Sequence, residues 1–140
     1  MSYDPDNIFA KILRDEIPST RVYEDDDTLV FMDIMPRADG HCLIIPKTPC
    51  RNVLDASPAQ LNSVIATTQK IANAVTRAFD AQGVTIQQFN EAAGGQEVFH
   101  LHFHVLPRYE NVKLRAPGQM ENSAVIAANA EKIRGALAEG

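Results

Sequence analysis

The segment HLHFHVLPR, residues 100–108, restricts the fold more than any other part of the chain. Three of the four histidines in the chain occupy every second position of it, and an apolar residue fills each gap. Successive side chains of a β-strand point to opposite faces, so the pattern predicts one strand with an apolar face and an imidazole face, with the rings about 6.5 to 7 Å apart. A rigid surface of this kind is typical of a ligand or reaction site. The three histidines are His100, His102 and His104.

Apolar spacing predicts three helices. The segment DNIFAKILRDEIPS predicts a short helix that begins at an Asp6 or Asn7 cap and stops at Pro18. A long helix over 58–80 begins at the sequence SPAQ and carries apolar residues at spacings of four and three, which predicts that it lies across a sheet. Residues 122–138 predict a last amphipathic helix.

Five strands complete the predicted fold. Two of them flank the acidic turn in VYEDDDTLVFMDI, a third is GHCLIIPK, and the last two are VTIQQFN and EVFHLHFHVLP, joined by the loop EAAGGQ. Strands and helices do not alternate strictly, so we predict an α+β fold with a mainly antiparallel five-stranded sheet, a short N-terminal helix, a long central helix and a C-terminal helix. The sequence contains no repeat or linker, which predicts one domain over residues 1–140.

Composition excludes several classes of function. The 140-residue chain has 45% apolar residues, 22% charged residues and a net charge of −5. This balance disfavours a nucleic-acid or membrane surface, because those polyanions are bound mainly by clusters of lysine and arginine. The start MSYDPDNIFAK lacks the basic and apolar parts of a secretory signal, so we expect a cytoplasmic location. Cys42 and Cys50 are expected to be free thiols.

Two chemistries explain the alternating imidazoles. In the first, His100 and His102 bind zinc together with a third ligand from elsewhere. In the second, His102 is a nucleophile toward phosphorus, and its neighbours hold phosphate oxygens or manage the proton of the leaving group. A purely structural strand has no packing reason to place imidazole at three alternate positions. The candidates for a third metal ligand are His104, His41, Cys42 and Cys50.

The pattern H-φ-H-φ-H-φ-φ over residues 100–106, where φ is apolar, resembles the signature of the histidine triad (HIT) superfamily. The segment NIFAKILRDEIPSTRVYEDDDTLVFMDIMPRADGHCLIIPK is similar to the amino-terminal half of its nucleotide-binding branch, of the bacterial type, and FNEAAGGQEVFHLHFHVLPR is similar to the active-site half. The resemblance is strongest over residues 6–108 and implies the HIT-like fold. Residues 109–140 differ and are expected to add a loop and a helix.

The resemblance implies an enzyme that binds a purine nucleotide and cleaves the α-phosphate bond of a nucleoside 5′-phosphoramidate or a related nucleotidyl conjugate. By position, His102 would attack phosphorus and form a covalent nucleotidyl-histidine, a role that suits a neutral imidazole. His104 would contact phosphate or leaving-group oxygens, His100 would line the other side of the site, and His41 would join its hydrogen-bond network. The alternatives are a nucleotide-binding regulatory module with little turnover and a dinucleoside polyphosphate hydrolase.

The same resemblance assigns the residues that hold the nucleotide. Asp33 would accept both ribose hydroxyls, for which a carboxylate offers two charged acceptors. The glycines of the loop EAAGGQ, called here the glycine loop, would allow backbone N–H groups to turn toward an anion. Gln96 would form a hydrogen bond next to the α-phosphate. Eukaryotic members often carry serine near Glu97, whose role in proton transfer or at the leaving group is open. The expected phosphate-side residues are Asn90, Gly95, Gln96, Glu97 and Val98, and the expected base-side residues are Ile8, Phe9, Ile12, Phe31 and Ile34.

The resemblance also bears on metals and on assembly. Many bacterial relatives bind zinc through a CxxC pair, a histidine after PK and the first histidine of the triad. In this chain Asn7 and Ala10 stand at the pair and Cys50 at the following histidine. Only His100 matches, and one or two ligands do not close a tetrahedral site, so we predict no structural zinc and no cofactor. Family members of this type are homodimers, which implies a dimer through the 58–80 helix and a sheet edge.

Overall fold

The computed structural model describes residues 2–140, which form three α-helices, five strands and a short 3-10 turn. The helices are α1 (Ile8–Leu13), α2 (Pro58–Ala78) and α3 (Ser123–Glu139). The strands are β1 (Arg21–Glu24), β2 (Thr28–Met32), β3 (Cys42–Pro46), β4 (Gly83–Gln87) and β5 (Phe103–Arg108), and the 3-10 turn is Ala92–Gly94.

The five strands form one antiparallel sheet in the order β1-β2-β3-β5-β4. The strands β1, β2 and β3 are neighbours in the sheet in the order of the sequence. After β3, helix α2 carries the chain across the sheet to β4 at the edge, and β5 then fills the place between β3 and β4. The predicted α+β fold with a five-stranded antiparallel sheet and three helices is confirmed.

The two faces of the sheet have different covers. α2 and α3 cover one face, where their Ile71 and Ile133 pack with Ile44 of β3. α1 covers part of the other face, where Phe9 packs with Phe31 of β2. A helix of six residues is about 9 Å long, against about 19 Å for the width of five strands. The α1 face therefore keeps room for polar groups beside the helix.

Local signals fix where the helices begin. The side chain of Asn7 accepts hydrogen bonds from two backbone N–H groups at the start of α1. Ser57 and Gln60 form a reciprocal capping box at the start of α2, and Pro58 occupies its first position. Within residues 2–140, no helix has both the length and the apolar character needed to cross a membrane.

The histidine segment is a strand only in its second half, and this corrects the strand predicted over the whole of it. β5 begins at Phe103, so the first two histidines precede it. β3 ends at Pro46, which has no N–H to donate, and the pairing of β3 with β5 is confined to Cys42–Ile44. The carbonyl oxygens of Pro46 and His100 accept hydrogen bonds from the imidazoles of His100 and His102, respectively. These oxygens are therefore not used in a longer ladder of backbone hydrogen bonds.

Gly40 lies shortly before β3 and packs against the ring of Phe79, which follows α2. Its φ is +90°, and a Cβ at this position would lie 2.5 Å from Cε2 of Phe79. We expect Gly40→Ala to lower the free energy of unfolding by about 2–4 kcal/mol, because it adds backbone strain and an overpacked methyl group. Urea denaturation of the variant and the wild type measures the difference.

Gly135→Ala in α3 is the matched control for this substitution. No atom lies within 4 Å of a Cβ added there, so we expect the ordinary helix preference for alanine to raise the free energy of unfolding by about 0.5–1 kcal/mol. Equal stabilities of the two variants would contradict the role given to Gly40.

Candidate active site

Three histidine side chains meet on the α1 face of the sheet. His104 lies in β5, His41 directly precedes β3, and His102 directly precedes β5. The ring centroids of His102 and His104 are 5.1 Å apart, as are those of His41 and His104. The cross-strand partner of His104 is Leu43, and this register places the rings on the α1 face. Leu43 belongs to a buried apolar cluster on that face, called here the α1-side cluster, which consists of Phe9, Ile12, Leu29, Phe31, Leu43 and Ile45.

The hydrogen bond of His102 leaves a lone pair on its other nitrogen. Nδ1 lies 2.7 Å from the backbone carbonyl oxygen of His100, which can only accept, so Nδ1 carries the proton. Nε2 therefore has a lone pair, and it has no partner among residues 2–140. Phe9 packs edge-on against the ring with the centroids 4.9 Å apart, which fixes its orientation. A neutral imidazole held in this way can act as a nucleophile.

His104 has the opposite tautomer to His102, because of a chain of hydrogen bonds that begins at Arg37. The backbone N–H of Arg37 donates to Nδ1 of His41 at 3.1 Å, so His41 carries its proton on Nε2. That nitrogen is 2.9 Å from Nδ1 of His104, which therefore accepts. His104 is left with its own proton on Nε2. The site thus places an N–H donor beside the lone pair of His102.

His100 is fully buried, and both of its ring nitrogens have partners within the chain. Nε2 donates to the carbonyl oxygen of Pro46 at 2.9 Å, and the hydroxyl of Tyr3 donates to Nδ1 at 2.7 Å. The residue is 0% exposed. The ring therefore supports the segment from beneath and does not line the site as the resemblance implies, while the backbone carbonyl of His100 orients His102.

Burial lowers the pKa of every imidazole in the site. It lowers the pKa of His41 to about 4, helped by the charge of Arg37, and the pKa of His104 to about 3, helped by the neighbouring imidazoles. Burial lowers the pKa of His100 to about 4. It also lowers the pKa of His102, an effect that the hydrogen bond to the His100 carbonyl opposes. All four rings are consequently neutral at pH 7.

Asp33 lies beside this chain of hydrogen bonds at the end of β2. Its Oδ1 accepts from the backbone N–H of Met35 at 2.8 Å, and its Oδ2 lies 3.5 Å from Nε2 of His41. Because His41 is neutral, this contact is not an ion pair. The carboxylate is fixed by the Met35 bond and keeps free lone pairs, which is the arrangement that a pair of hydroxyl groups requires.

The side chains that could hold a metal ion differ from the zinc ligands that the sequence offers as an alternative. Asp33, His41 and His104 offer ligand atoms within 4.8 Å of one another, the one such group found among residues 2–140. A metal ion there would have to replace the proton between His41 and His104. The alternative set with a cysteine does not assemble, because Cys42 packs on the α2 side of the sheet and His100 uses both nitrogens.

The glycine loop makes a tight turn next to His104. Gly95 has a φ of +96°, and a Cβ there would lie 3.2 Å from the ring of Phe89, which packs edge-on against His104 at 5.9 Å. The backbone N–H groups of residues 94–96 bond to carbonyl oxygens inside the loop, so they do not turn toward an anion as predicted. The next two N–H groups, at residues 97–98, have no acceptor among residues 2–140 and are available to one.

Gln96 holds this loop in place. Its Oε1 accepts from the side chain of Asn52 and from the backbone N–H of Glu91, and its Nε2 donates to two backbone carbonyl oxygens. The residue is buried, and its amide already makes four hydrogen bonds. Gln96 therefore supports the loop instead of reaching the site as the resemblance implies. Glu91 is held in turn by an ion pair with Arg51 at 2.7 Å.

Three other predicted residues lie at the ends of the loop. The side chain of Asn90 accepts from the backbone N–H of Val53 and exchanges hydrogen bonds with Gln88, all at 2.9 Å, so it anchors the chain before the loop. Glu97 is exposed, and its role in proton transfer stays a prediction. Val98 packs against the α1-side cluster.

The residues predicted to hold a base divide into two groups. Phe9, Ile12 and Phe31 are buried in the α1-side cluster. Ile8 and Ile34 are 46% and 50% exposed. Exposed apolar side chains next to a buried cluster are available for a planar ring to pack on. The predicted contact with a base therefore depends chiefly on Ile8 and Ile34.

Three contributors to the site escape sequence analysis. Tyr3 reaches His100 from 97 positions away, and no local pattern marks that pair. Phe89 supports both the glycine loop and His104. Arg37 had a weak signal, because a cation four residues before His41 lies in the same short connection.

Comparisons with known proteins identify the family of the chain. A family model described as the HIT domain matches residues 14–111. An uncharacterized HIT-like protein of Borreliella burgdorferi is 44% identical over 108 residues, which cover 76% of this chain and 78% of that protein. The adenylylsulfatase HINT3 of Arabidopsis thaliana is 36% identical over 105 residues, which cover 75% of this chain and 53% of that protein.

A solved structure extends the likeness to almost the whole chain. The crystal structure of a Hit-like protein involved in cell-cycle regulation from Bartonella henselae, with an unknown ligand, matches with a TM-score of 0.91 and 55% identity. The match covers 96% of this chain and 99% of that one. By its family model, its fold and the alternating histidines at residues 100–106, the protein belongs to the histidine triad family.

Proposed function

We propose that this protein hydrolyses purine nucleoside 5′-phosphoramidates or related nucleotidyl conjugates at the α-phosphate, with His102 as the nucleophile. One observation carries the proposal. Nε2 of His102 has a lone pair, Nε2 of the neighbouring His104 has a proton, and the centroids of the two rings are 5.1 Å apart. The first group can attack phosphorus, and the second can hold a phosphate oxygen or the leaving group.

The proposed reaction has two displacements. In the first, Nε2 of His102 bonds to the α-phosphorus while the P–N bond breaks, and the leaving nitrogen keeps the electron pair, takes up one proton and departs as an amine. In the second, water forms the new P–O bond, the bond to His102 breaks, and one proton of the water is released. The proton taken up first is thereby returned, and the products are a nucleoside monophosphate and an amine.

Fixed groups around the histidines would position the substrate. The carboxylate of Asp33 would accept the ribose hydroxyls, and the free N–H groups of residues 97–98 would face the phosphate oxygens. The base would pack on Ile8 and Ile34. Because these groups are held by the fold, little ordering remains to be done when the substrate binds.

Hydrolysis is better supported than binding alone. A relative of this chain is named an adenylylsulfatase, so hydrolytic proteins occur among its relatives. A module that only binds nucleotides has no need of a neutral histidine with its lone pair unoccupied. We further infer that residues 1–140 work as one domain in the cytoplasm, a reducing compartment that suits the two buried free cysteines.

The covalent step is tested with adenosine 5′-phosphoramidate and intact-mass spectrometry. We expect the wild type, quenched during turnover, to gain the mass of one adenylyl group. His102→Ala removes the attacking nitrogen, so it should show no adduct and lose about 10⁴-fold or more in kcat/KM. His104→Ala is the matched control, because it keeps the nucleophile and should still form the adduct, more slowly. An adduct of undiminished yield in His102→Ala would refute the proposal.

Activity should persist on the acid side of neutrality. The nucleophile works unprotonated, and burial lowers the pKa of His102 below the ordinary value of 6.5. We therefore expect the acid limb of the kcat/KM profile to have its midpoint below pH 6.5. An acid limb with its midpoint at or above pH 6.5 in folded protein would contradict this expectation.

Folding stability has to be followed in the same experiment. Below pH 6.5 the unfolded chain binds protons at His41, His100 and His104 that the folded chain excludes. The contribution of these neutral rings to the free energy of unfolding is complete above pH 6.5 and is lost as the pH falls toward about 4. Over that range the free energy of unfolding should fall by about 1.4 kcal/mol per pH unit for each ring. Circular dichroism at each pH separates loss of fold from titration of the nucleophile.

We also propose that two copies associate through the free edge of the sheet. β4 is an edge strand, and its Val84 and Ile86 are 37% and 45% exposed, as is Ile65 of α2 at 50%. An unpaired strand edge next to exposed apolar side chains is suited to pairing with the same strand of a second copy.

Ile86→Lys should convert the proposed dimer to a monomer, because it places a charge in the apolar contact. Light scattering coupled to gel filtration at about 10 μM measures the mass of each species. Val125→Lys on α3, where the replaced residue is 39% exposed, is the control and should leave the mass unchanged. A monomeric wild type would refute the proposed dimer.

A further inference from the structure

The nucleophile lies in a segment that is held by contacts other than strand pairing. This segment, residues 99–102, directly precedes β5 and includes His102 as well as the carbonyl oxygen of His100 that orients it. Its backbone is tied to the rest of the fold where the N–H of Leu101 donates to the carbonyl oxygen of Cys50 at 2.9 Å. Because a single carbonyl oxygen orients His102, the aim of the nucleophile depends on what fixes residue 100.

The ring of His100 is fixed from two sides. Its Nε2 donates to the carbonyl oxygen of Pro46, the last residue of β3, at 2.9 Å. Its Nδ1 accepts from the hydroxyl of Tyr3 at 2.7 Å, and the two aromatic rings pack edge-on with their centroids 5.6 Å apart. A donor at Nδ1 selects the tautomer that carries its proton on Nε2, which is the tautomer that bonds to Pro46. Without the hydroxyl, Nδ1 would be a buried acceptor with no donor, a state that folded proteins avoid.

The hydroxyl of Tyr3 acts from a fixed backbone. The residue before it is held at its carbonyl oxygen, which accepts from Nη1 of Arg51 at 3.1 Å. The residue after it is held in the same way, because the carbonyl oxygen of Asp4 accepts from the side chain of Asn7 at 2.7 Å. Burial raises the pKa of Tyr3, an effect that Asn7 opposes and Cys50 reinforces. The hydroxyl therefore keeps its proton at neutral pH and remains a donor.

Arg51 joins the N-terminal residues to the rest of the site. Its guanidinium lies 4.3 Å from the ring centroid of Phe99, the residue before His100. It also pairs with Glu91 of the glycine loop at 2.7 Å. The residues around Tyr3, the glycine loop and the segment 99–102 are therefore held against one another.

Zinc does not fit at this place. The resemblance assigns His100 and the positions of Asn7, Ala10 and Cys50 to the zinc site of many bacterial relatives. In this chain Ala10 offers no ligand atom, and the side-chain oxygen of Asn7 caps α1. Nδ1 of His100 already accepts from Tyr3. A hydroxyl thus supports this histidine in the present chain, where those relatives use a metal ion.

We infer that Tyr3 is a positioning residue for the nucleophile. Its hydroxyl holds the ring of His100, and the held ring fixes the backbone of residue 100. The carbonyl oxygen of that residue then keeps the proton on Nδ1 of His102 and the lone pair on Nε2 directed at the α-phosphate. The inference rests on the proposed function, and it assigns a task in that reaction to a side chain that the substrate does not touch.

Tyr3→Phe removes the hydroxyl and keeps the ring. In a single turnover with adenosine 5′-phosphoramidate, we expect the rate at which His102 gains the adenylyl group to fall about 10- to 100-fold, because a misaimed nitrogen reaches phosphorus in line less often. The Kd of AMP should change by less than about twofold, since the groups that hold the nucleotide stay in place. Rapid quench with intact-mass spectrometry measures the rate, and calorimetry measures the Kd.

Tyr23→Phe is the matched control for this substitution. The hydroxyl of Tyr23, in the edge strand β1, donates to Asp25 at 3.0 Å. Its side chain packs on the α2 side of the sheet, whereas the histidines lie on the α1 side. The control therefore loses the same atom away from the site and should keep the rate of the wild type.

A double-mutant cycle shows whether Tyr3 acts through His100. His100→Leu removes the acceptor of the hydroxyl and keeps a buried side chain of similar size. If Tyr3 acts through this ring, adding Tyr3→Phe to His100→Leu should lower the rate further by less than about twofold. An equal fold loss in both backgrounds would overturn the inference, because Tyr3 would then act by another route.

NMR of the imidazole nitrogens tests the same bonds without turnover and needs only the single variant. In the wild type we expect His102 in one tautomer, with its proton on Nδ1. In Tyr3→Phe a second population with the proton on Nε2 should appear, because the oxygen that accepts from Nδ1 is no longer held in place. Circular dichroism establishes that each variant is folded.

The outcomes separate this inference from the proposed function. An unchanged rate or an unchanged tautomer of His102 in folded Tyr3→Phe would overturn the positioning role while leaving hydrolysis intact. A wild type that forms no adduct, together with a second tautomer in Tyr3→Phe, would refute the hydrolase and sustain the positioning of His102 by Tyr3.

Discussion

A buried imidazole must satisfy both of its nitrogens or leave one for a ligand, and this constraint organises the whole site. His100 meets it with Tyr3 and the carbonyl of Pro46, and His41 meets it with Arg37 and His104. Each internal bond fixes a tautomer. Once these bonds are made, His102 and His104 are the two rings with a nitrogen to spare, one with a lone pair and the other with a proton.

The fold makes room for this arrangement by treating the two faces of the sheet differently. The longer helices α2 and α3 bury one face in hydrocarbon, and the six-residue α1 leaves part of the other to the histidines. Antiparallel pairing with β3 then places His104 beside the connection that carries Asp33, Arg37 and His41. Residues after β5 return to that same connection, where the backbone N–H groups of Arg115 and Glu121 donate to the carbonyl oxygens of Arg37 and Ile34.

The sequence predicts the elements well because their signals are local. The cap at Ser57 and the apolar stripe of α2 need no knowledge of the rest of the chain. Alternation in the histidine segment also predicts a strand, but the first half of the segment is not one. Its conformation is set by distant residues, namely Pro46, at which β3 ends, and Tyr3, which hydrogen-bonds to the buried ring of His100. Gln96 shows the same limit, since its inward turn depends on Asn52 and Glu91 across the loop. Side-chain partners set by tertiary packing are what a linear pattern leaves out.

The group that orients His102 is a main-chain oxygen and not a side chain. Where an enzyme orients a histidine with the carboxylate of a side chain, that group can be protonated, and a single substitution can remove it. Neither holds for a peptide carbonyl, because every residue at position 100 supplies the same oxygen. A substitution at position 100 can therefore disturb the orientation of His102 only indirectly, by moving the backbone, and the oxygen that accepts from Nδ1 of His102 does not itself titrate.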